Sequence, residues 1–519
     1  MRMVGLPISP ATGTLSLLLA TLIYSLTVTD AVVVNSGVGE ILGEMINVTL
    51  RDGSQYSLAR FYGIPYGQAQ RFAKPTPKAK FTERFEALNY GPACPQKNPK
   101  DGNVMSEDCL SLNIFVPQAA LPPLGKTADP LPVVFWIRGG RFMEGEGRTT
   151  PVQNLAAFGN VIFVTFNYRL GALGFLSTDD QKAPGNYGLW DQRLALQWVH
   201  TNIGAFGGDP NKITLYGPSI WGACVTLQAM YPPNQGLFRR IFVGSGTALS
   251  IPTLHENARD YAKALAEKVG CDSQSSAAIV SCLRQKDFTE ILNADVPSTG
   301  RFDLPWAPVV DGDFIQKHPI EQVTWPPSGA DLRLLRSVDA MYGICTADGS
   351  LSIRTWVKAL AKQMGTGLKF GITKELFNRT VEEVLSTHDQ QWDPLTKEAV
   401  LYEYTAWEDP ESRSALGQST VDLTTDKHFF IPSVLFSRNH AVNNDQANVY
   451  FFEFNEAKQD NRGRFWIHGC RHGHFNEFAL GMAEERWTSE IDLNNENHTK
   501  LWELSKATMT YWSNFFKTG

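Results

Sequence analysis

The sequence predicts an α/β protein that folds as one large domain. Residues 212–216 are typical of a β-strand, residues 223–230 of the helix that follows it, and residues 133–137 of a second apolar strand. No Pro/Ser-rich tract, charge block or internal repeat divides the 519-residue chain, so no linker is predicted. Because large α/β proteins can carry one extended sheet in a single domain, the length does not require several domains.

The composition indicates a globular chain with a large core. Hydrophobic residues make up 43% of the chain and charged residues 19%, which excludes extended disorder. The formal net charge of −6 gives no basic surface for a polyanion. We therefore expect no nucleic-acid partner.

The first 31 residues are typical of a secretory signal peptide. Arg2 precedes an apolar run at residues 15–26, and a small residue, Ala31, marks the expected cleavage region. A membrane anchor is the alternative, but the run is shorter than the ~20 residues that a membrane span needs. We expect a signal peptide at residues 1–31, a single domain at residues 32–519, secretion, and no membrane span after signal removal.

Three Asn-x-Ser/Thr sequons agree with an exported surface, although a chain of this length contains a few by chance. The predicted glycosylation sites are Asn47, Asn378 and Asn497.

Residues 217–221 form the pentad Gly-Pro-Ser-Ile-Trp between the predicted strand and helix. A reactive serine on a sharp strand-to-helix turn is usually flanked by glycines as Gly-x-Ser-x-Gly, because glycine lets strand and helix approach closely. Here Trp221 replaces the second glycine. The alternative for Ser219 is a helix N-cap.

Seven other sequence segments, spread over nearly all of residues 35–519, match a known family. They are residues 61–66 (FYGIPY), 106–110 (SEDCL), 166–176 (FNYRLGALGFL), 185–192 (GNYGLWDQ), 202–210 (NIGAFGGDP), 307–312 (APVVDG) and 512–515 (WSNF). In content and order they closely resemble the type-B carboxylesterase/lipase family, which includes the cholinesterases. The resemblance implies an α/β-hydrolase fold, with a large, mostly parallel central sheet flanked by helices.

The resemblance also implies a catalytic triad in the order serine, acid, histidine. Ser219 is the nucleophile, and His472 is the base because residues 469–473 (GCRHG) resemble the histidine loop of the family. Asp348 matches the acid, although the family normally has the longer glutamate there. Ser245 matches a serine that steadies the acid and the base; a simple turn serine is the alternative.

The oxyanion loop departs from the family pattern of His or Tyr, three glycines and an aromatic residue. Residues 138–142 read Arg-Gly-Gly-Arg-Phe, so the expected oxyanion donors are the N–H groups of Gly140, Arg141 and Ile220. If residue 141 requires a positive φ, its side chain strains the loop or moves the donor. We also expect Arg141 to bring a cation to the substrate gorge.

Seven cysteines in an exported chain leave one unpaired. The resemblance implies disulfides between Cys94 and Cys109 and between Cys271 and Cys282. The remaining three are interpreted as small core residues: Cys224, Cys345 and Cys470.

A metal site is the alternative interpretation of the alternating run His468, Cys470, His472 and His474. The matching family loop is not a strand, and the sequence offers no second ligand cluster, so we expect no metal and no cofactor.

Two functions remain open at this point. One is a secreted carboxylic ester hydrolase of reduced or narrowed activity, acting on a small-molecule ester through an acyl-enzyme. The other is a catalytically inactive family member that binds a ligand or a protein partner. The retained triad positions favour the enzyme, whereas Arg138, Arg141, Pro218 and Trp221 favour the binding protein.

Overall fold

A computed structural model describes residues 31–99, 104–121, 129–149, 151–251, 253–297, 304–323, 332–386, 393–442, 444, 446–456, 466–482 and 496–519. The predicted signal peptide lies outside the described residues, except for Ala31, with which the first strand begins.

The strands of this part of the chain alternate with helices from residue 131 onwards. They are β1 (Ala31–Ser36), β2 (Gly39–Thr49), β3 (Gln55–Pro65), β4 (Gly67–Gln68), β5 (Thr76–Pro77), β6 (Phe85–Glu86), β7 (Ser111–Pro117), β8 (Leu131–Trp136), β9 (Ile162–Phe166), β10 (Gly208–Pro218), β11 (Arg240–Gly244), β12 (Asp339–Cys345) and β13 (Val449–Phe454).

The helices pack on both faces of the sheet. They are α1 (Gln153–Gly159), α2 (Gly171–Phe175), α3 (Tyr187–Asn202), α4 (Ile220–Ala229), α5 (Ala258–Lys268), α6 (Ser276–Leu283), α7 (Phe288–Asn293), α8 (Pro319–Gln322), α9 (Arg333–Arg336), α10 (Ser350–Arg354), α11 (Trp356–Gln363), α12 (Lys374–Leu385), α13 (Pro394–Glu403), α14 (Arg413–Thr425), α15 (Ile431–Ala441), α16 (His474–Ala479) and α17 (Glu496–Thr518).

One large mixed sheet organises the fold, with the order β1-β2-β3-β7-β9-β8-β10-β11-β12-β13 and β6 beside β2. Along this order the strands from β9 through β8 to β13 run parallel, whereas the neighbouring pairs from β1 to β9 are antiparallel; the short β6 runs parallel to β2. This arrangement is the predicted α/β-hydrolase fold. Parallel strand pairs outnumber antiparallel pairs in this sheet, as predicted.

Three strands of the central sheet are buried along their whole length. Every residue of β7, β9 and β11 is buried, as expected for strands covered by helices on both faces. The long helix α17 covers one face, where Phe516 packs edge-on against Phe163 and Tyr216. The sheet is therefore a rigid support for the loops at its edges.

The carboxyl ends of the parallel strands β10, β11 and β12 lie at the same edge of the sheet. Ser219 directly follows β10, Ser245 directly follows β11, and Asp348 lies three residues beyond β12. The topology thus brings together side chains that are up to 129 residues apart in sequence.

Both predicted disulfides are present: Cys94 is bonded to Cys109, and Cys271 to Cys282. The other three cysteines are buried, as predicted for core residues. The paired cysteines are 15 and 11 positions apart in sequence, and by the loop-entropy model each bond is worth ~3 kcal/mol.

The predicted glycosylation sites differ in their setting. Asn47 lies exposed on β2, and Asn378 lies exposed on α12. Asn497 is in the first turn of α17. Among the described helices we find none with the length and apolarity that a membrane crossing requires.

A buried histidine fixes the strand that leads to Asp348. His440 on α15 is fully buried, with Nε2 3.2 Å from the Val338 carbonyl and Nδ1 2.9 Å from the Tyr342 hydroxyl. These contacts suit the neutral ring, which donates to the carbonyl and accepts from the tyrosine. Burial lowers the pKa of His440 to about 4.

This predicts a loss of stability in mild acid. Since an unfolded histidine has a pKa of about 6.5, the free energy of unfolding is unaffected above that pH and falls as the pH drops towards 4. At pH 5 the loss from His440 should be about 2 kcal/mol. The free energy of unfolding, measured with denaturant at pH 7 and pH 5, should therefore change less with pH in the His440→Gln variant than in the wild-type protein. His200 is partly exposed, and the His200→Gln variant should keep the wild-type pH dependence. An unchanged dependence in His440→Gln would contradict the assignment.

Candidate active site

Ser219 sits on a strained turn between β10 and α4. Its φ of 66° and ψ of −145° lie in a region that non-glycine residues rarely occupy, at a cost of roughly 1–3 kcal/mol. Two backbone hydrogen bonds hold the turn: the Ser219 N–H donates to the Gly244 carbonyl at 2.5 Å, and the Gly222 N–H donates to the Ser219 carbonyl at 2.8 Å. The Ser219 side chain makes no N-cap hydrogen bond to α4, which disfavours the N-cap interpretation.

The glycine that the tight turn needs is Gly222, one residue after Trp221. A Cβ at Gly222 would lie 2.2 Å from the Gly246 carbonyl oxygen, and one at Gly217 would lie 2.5 Å from the Trp221 carbonyl oxygen. Neither position has room for a side chain. Residue 221 has such room, because its side chain points away from this contact into a cavity.

Ser219, His472 and Asp348 form a continuous hydrogen-bonded chain. Ser219 Oγ lies 2.7 Å from His472 Nε2, and His472 Nδ1 lies 2.8 Å from Asp348 Oδ1. The other oxygen of Asp348 accepts the Cys345 N–H at 2.9 Å. The shorter aspartate therefore reaches the histidine, and its fully buried carboxylate has a donor for each oxygen.

Three hydrogen bonds join the loops of the acid and the histidine, one between backbone groups and two from backbone N–H groups to side-chain hydroxyls. The Ala347 N–H donates to the Cys470 carbonyl at 2.8 Å, and the Cys470 N–H donates to Thr346 Oγ1 at 2.9 Å. The His472 N–H donates to Ser350 Oγ at 3.1 Å. These bonds fix the separation between Asp348 and His472 independently of their own contact.

The hydrogen bonds define one tautomer of His472. The Asp348 carboxylate accepts a hydrogen bond from the Nδ1–H group, so Nε2 carries a lone pair that faces the Ser219 hydroxyl. This arrangement can remove the hydroxyl proton as the oxygen attacks an electrophile. A π-helical turn (Asp426–Phe430) between α14 and α15 places the Phe429 ring 4.9 Å from the imidazole ring, which shields that side of the histidine.

The Gly140 N–H is already bonded, which corrects its predicted role as an oxyanion donor. It donates to the Glu144 carbonyl, while the Glu144 N–H donates back to the Gly140 carbonyl at 3.0 Å. The pair closes a tight turn over residues 140–144. The physical reason for the difference is local: without a third glycine the loop folds on itself, and the amide points into the turn.

Arg141 and Phe142 follow with φ values of 53° and 60°. The predicted strain at Arg141 is therefore present, at a cost of roughly 1–3 kcal/mol. Arg141 is not among the residues that line the cavity beside Ser219, and the cation found there is Arg138.

The third predicted donor, Ile220, is the first residue of α4. The first N–H groups of a helix have no partner within the helix, and they carry the positive end of its dipole. Ile220 is therefore well placed to bind a negative charge that develops beside Ser219.

Ser245 does not make the contact that the resemblance implied. It is buried with a φ of 56°, and its N–H donates to the Gly343 carbonyl at 2.7 Å. In the described part of the chain its hydroxyl bonds neither Asp348 nor His472. Its role is to turn the chain after β11, which is the alternative interpretation.

A cavity of about 220 Å³ opens beside Ser219. The Trp221 indole forms one wall, and the Arg138 guanidinium lies 6.0 Å from the centre of that ring, within reach of a cation–π contact. The cavity is lined by Trp136, Arg138, Pro151, Pro218, Ser219, Trp221, His472, Gly473, Asn476, Glu477, Leu480 and Met482. Sequence reasoning missed Trp136 and Asn476, because nothing in their local sequence indicates that they meet Ser219.

The alternating His/Cys run does not lie on one strand face. His472 pairs with Ser219, and Cys470 faces Cys345. No cluster of three His, Cys, Asp or Glu side chains with metal-site geometry occurs in the described ranges.

With fold and site in place, comparison with known proteins identifies the class. The sequence profile of the Carboxylesterase family matches residues 30–519, and the chain belongs to that family. It is 35% identical over 477 residues to human (Homo sapiens) bile salt-activated lipase, which covers 88% of this chain and 59% of that protein. It is 32% identical over 537 residues to human neuroligin-2, covering 94% and 60%. The chain spans about three-fifths of the length of these two relatives.

The bovine (Bos taurus) bile salt-activated lipase is 33% identical over 480 residues, covering 89% of this chain and 75% of that protein.

The tight contact at Gly222 makes a testable prediction. Gly222→Ala should lower the free energy of unfolding by roughly 1–3 kcal/mol, because its new Cβ meets a backbone carbonyl that cannot move freely. Gly204→Ala is the matched control, since a Cβ there meets nothing within 4 Å. Denaturant unfolding of both variants measures the difference. Equal stability of the two would show that the turn does not depend on glycine at residue 222.

Proposed function

We propose that this protein is a secreted serine hydrolase that cleaves carboxylic esters through an acyl-enzyme. The observation that carries the proposal is the continuous hydrogen-bonded chain from Ser219 through His472 to Asp348. A buried carboxylate, an oriented imidazole and a serine on a strained turn have no structural need for one another. Their convergence is what nucleophilic catalysis requires.

In the proposed reaction Ser219 Oγ attacks the ester carbonyl and its proton passes to His472 Nε2. The imidazolium then protonates the leaving alcohol, which departs and leaves an acyl group on Ser219. Water, deprotonated by His472, attacks the acyl group and releases the carboxylic acid and the free serine. Asp348 stabilises the imidazolium in both steps.

Stabilisation of the oxyanion is the weak part of this site. With Gly140 bonded to Glu144, the Ile220 N–H is the best-placed donor, and Arg141 can contribute only if its strained turn presents its amide to the substrate. Removing one such donor costs roughly 10²–10³ in rate. We therefore propose a slow esterase.

The substrate should be a small ester. The cavity of about 220 Å³ is below the range of roughly 300–1,000 Å³ typical of drug-sized ligands, and Trp221 occupies the space beside the nucleophile. The similarity to bile salt-activated lipases supports ester cleavage as the reaction type.

The occupied amide of Gly140 favours a second candidate, a catalytically inactive member of the family that binds a ligand or a protein partner. The similarity to neuroligin-2 is consistent with it. In that case Ser219, His472 and Asp348 would keep the arrangement of the family without catalysing a reaction. Trp221 and Arg138 would form part of a binding site.

Secretion forms part of the proposal and is supported by two features. The N-terminal residues have the composition of a signal peptide, and the two disulfides form in oxidising compartments. Export would also give the exposed Asn47 and Asn378 access to glycosylation.

Labelling with an organophosphate tests the enzyme. The wild-type protein should gain the mass of one dialkylphosphoryl group on Ser219, because only an activated serine reacts, and Ser219→Ala should gain none. Asp348→Asn keeps the shape of the acid but loses its charge, and should slow labelling by roughly 10²-fold or more. Intact mass measured against time gives the rates. If folded wild-type protein resists labelling, the binding-protein candidate replaces the enzyme.

Trp221→Gly tests the size limit of the substrate. Removing the indole should raise kcat/KM for p-nitrophenyl butyrate relative to acetate by roughly tenfold or more, since each added methylene needs room in the cavity. Trp407→Gly removes an indole from an exposed turn and should leave the ratio unchanged. A ratio that is equal in both variants would show that Trp221 does not limit the acyl group.

A further inference from the structure

Two cysteines that lie close in sequence to Asp348 and His472 are in contact with each other. Cys345 is the last residue of β12, and Cys470 is on the histidine loop; both are fully buried. Their sulfur atoms are 2.7 Å apart, although 125 residues separate them in sequence. Neither residue belongs to the two disulfides described above.

This separation is too short for two unbonded thiols. Non-bonded carbon atoms already rest about 3.5–4.0 Å apart, and sulfur is larger than carbon. A disulfide has its sulfurs about 2.05 Å apart, so the pair needs to close by only roughly 0.7 Å. The backbones are in place for this, because the Ala347 N–H is bonded to the Cys470 carbonyl.

We propose that Cys345 and Cys470 form a third disulfide, which locks the loop of the acid to the loop of the histidine. Cys345 is three residues before Asp348, and Cys470 is two residues before His472. The bond therefore sets the distance between the two loops at the base of the site. Both cysteines are positioning residues, since neither touches the nucleophile.

The bond forms by exchange with the disulfide of a thiol oxidoreductase or a small-molecule disulfide. The thiolate of one cysteine attacks a sulfur of that oxidant, whose other sulfur leaves as a thiol. The thiolate of the second cysteine then attacks the sulfur of the first cysteine in this mixed disulfide, which forms the Cys345–Cys470 bond and releases the oxidant's remaining sulfur as a thiol. Two protons and two electrons pass to the oxidant. Since both sulfurs are buried in the folded protein, the exchange takes place while the chain folds.

The remaining cysteine, Cys224 on α4, is the one thiol that an odd number of cysteines leaves unpaired. It is fully buried, and burial raises the pKa of its thiol to about 12, so it stays protonated and unreactive.

Mass mapping of the exported protein, without reductant, decides whether the bond exists. The protein is unfolded in the presence of iodoacetamide: three disulfides leave one alkylated cysteine, whereas two leave three. Trypsin should then release residues 337–354 joined to residues 465–471. Recovery of these two peptides separately, each alkylated, would overturn the proposal. Cys224→Ala is the control: it should yield the same joined peptides and no alkylation.

The double variant Cys345→Ala/Cys470→Ala tests the consequence. Loss of a cross-link over 125 residues should lower the midpoint of thermal unfolding by about 5 °C. If the bond positions the two loops, the double variant should also react with the organophosphate at Ser219 roughly tenfold or more slowly than the wild-type protein. The rate is measured at 20 °C below the unfolding midpoint. An unchanged rate would overturn the positioning role.

The labelling part of this test rests on the proposed function, but the mapping does not. If wild-type protein shows the joined peptides and no labelling, the disulfide stands and the enzyme proposal fails. If it shows labelling and separate peptides, the enzyme stands and the disulfide fails.

Discussion

The close approach of α4 to the ends of β10 and β11 is the contact on which the site depends. Gly222 lies against the Gly246 carbonyl with no room for a Cβ, and this contact forces Ser219 into its positive-φ conformation. The strain of roughly 1–3 kcal/mol at Ser219 is small beside the burial of the surrounding strands, so the sheet can sustain it. The result is a serine hydroxyl that stands clear of the backbone and faces His472.

The triad and the oxyanion loop differ in how closely they keep the geometry that ester hydrolysis requires. The triad has short contacts and a buried acid, and hydrogen bonds from backbone N–H groups join its two loops. In the oxyanion loop Arg141 stands where the family has a glycine and Arg138 where it has His or Tyr, and the Gly140 amide is bonded within the turn. Because a missing donor costs roughly 10²–10³ in rate, the esterase that we propose should be slow.

The same departures shape the cavity beside Ser219. Trp221 fits only because the glycine requirement falls on residue 222, which leaves its side chain free to line the cavity. Arg138 near the indole adds a cation to an otherwise apolar wall. Family membership alone does not choose between an esterase and a binding protein, since a fold is shared more widely than a reaction.

The sequence by itself determined the fold class, the two short-loop disulfides and the positions of Ser219, Asp348 and His472, because each lies in a local segment with a recognisable pattern. It did not determine the partner of the Gly140 amide, the exposure of Arg141, the lost contact of Ser245 or the direction of Trp221. The sequence also did not indicate that Cys345 and Cys470 lie in contact. These depend on how distant loops settle against one another at the edge of the sheet, where differences of an ångström decide which donor, side chain or sulfur meets which partner.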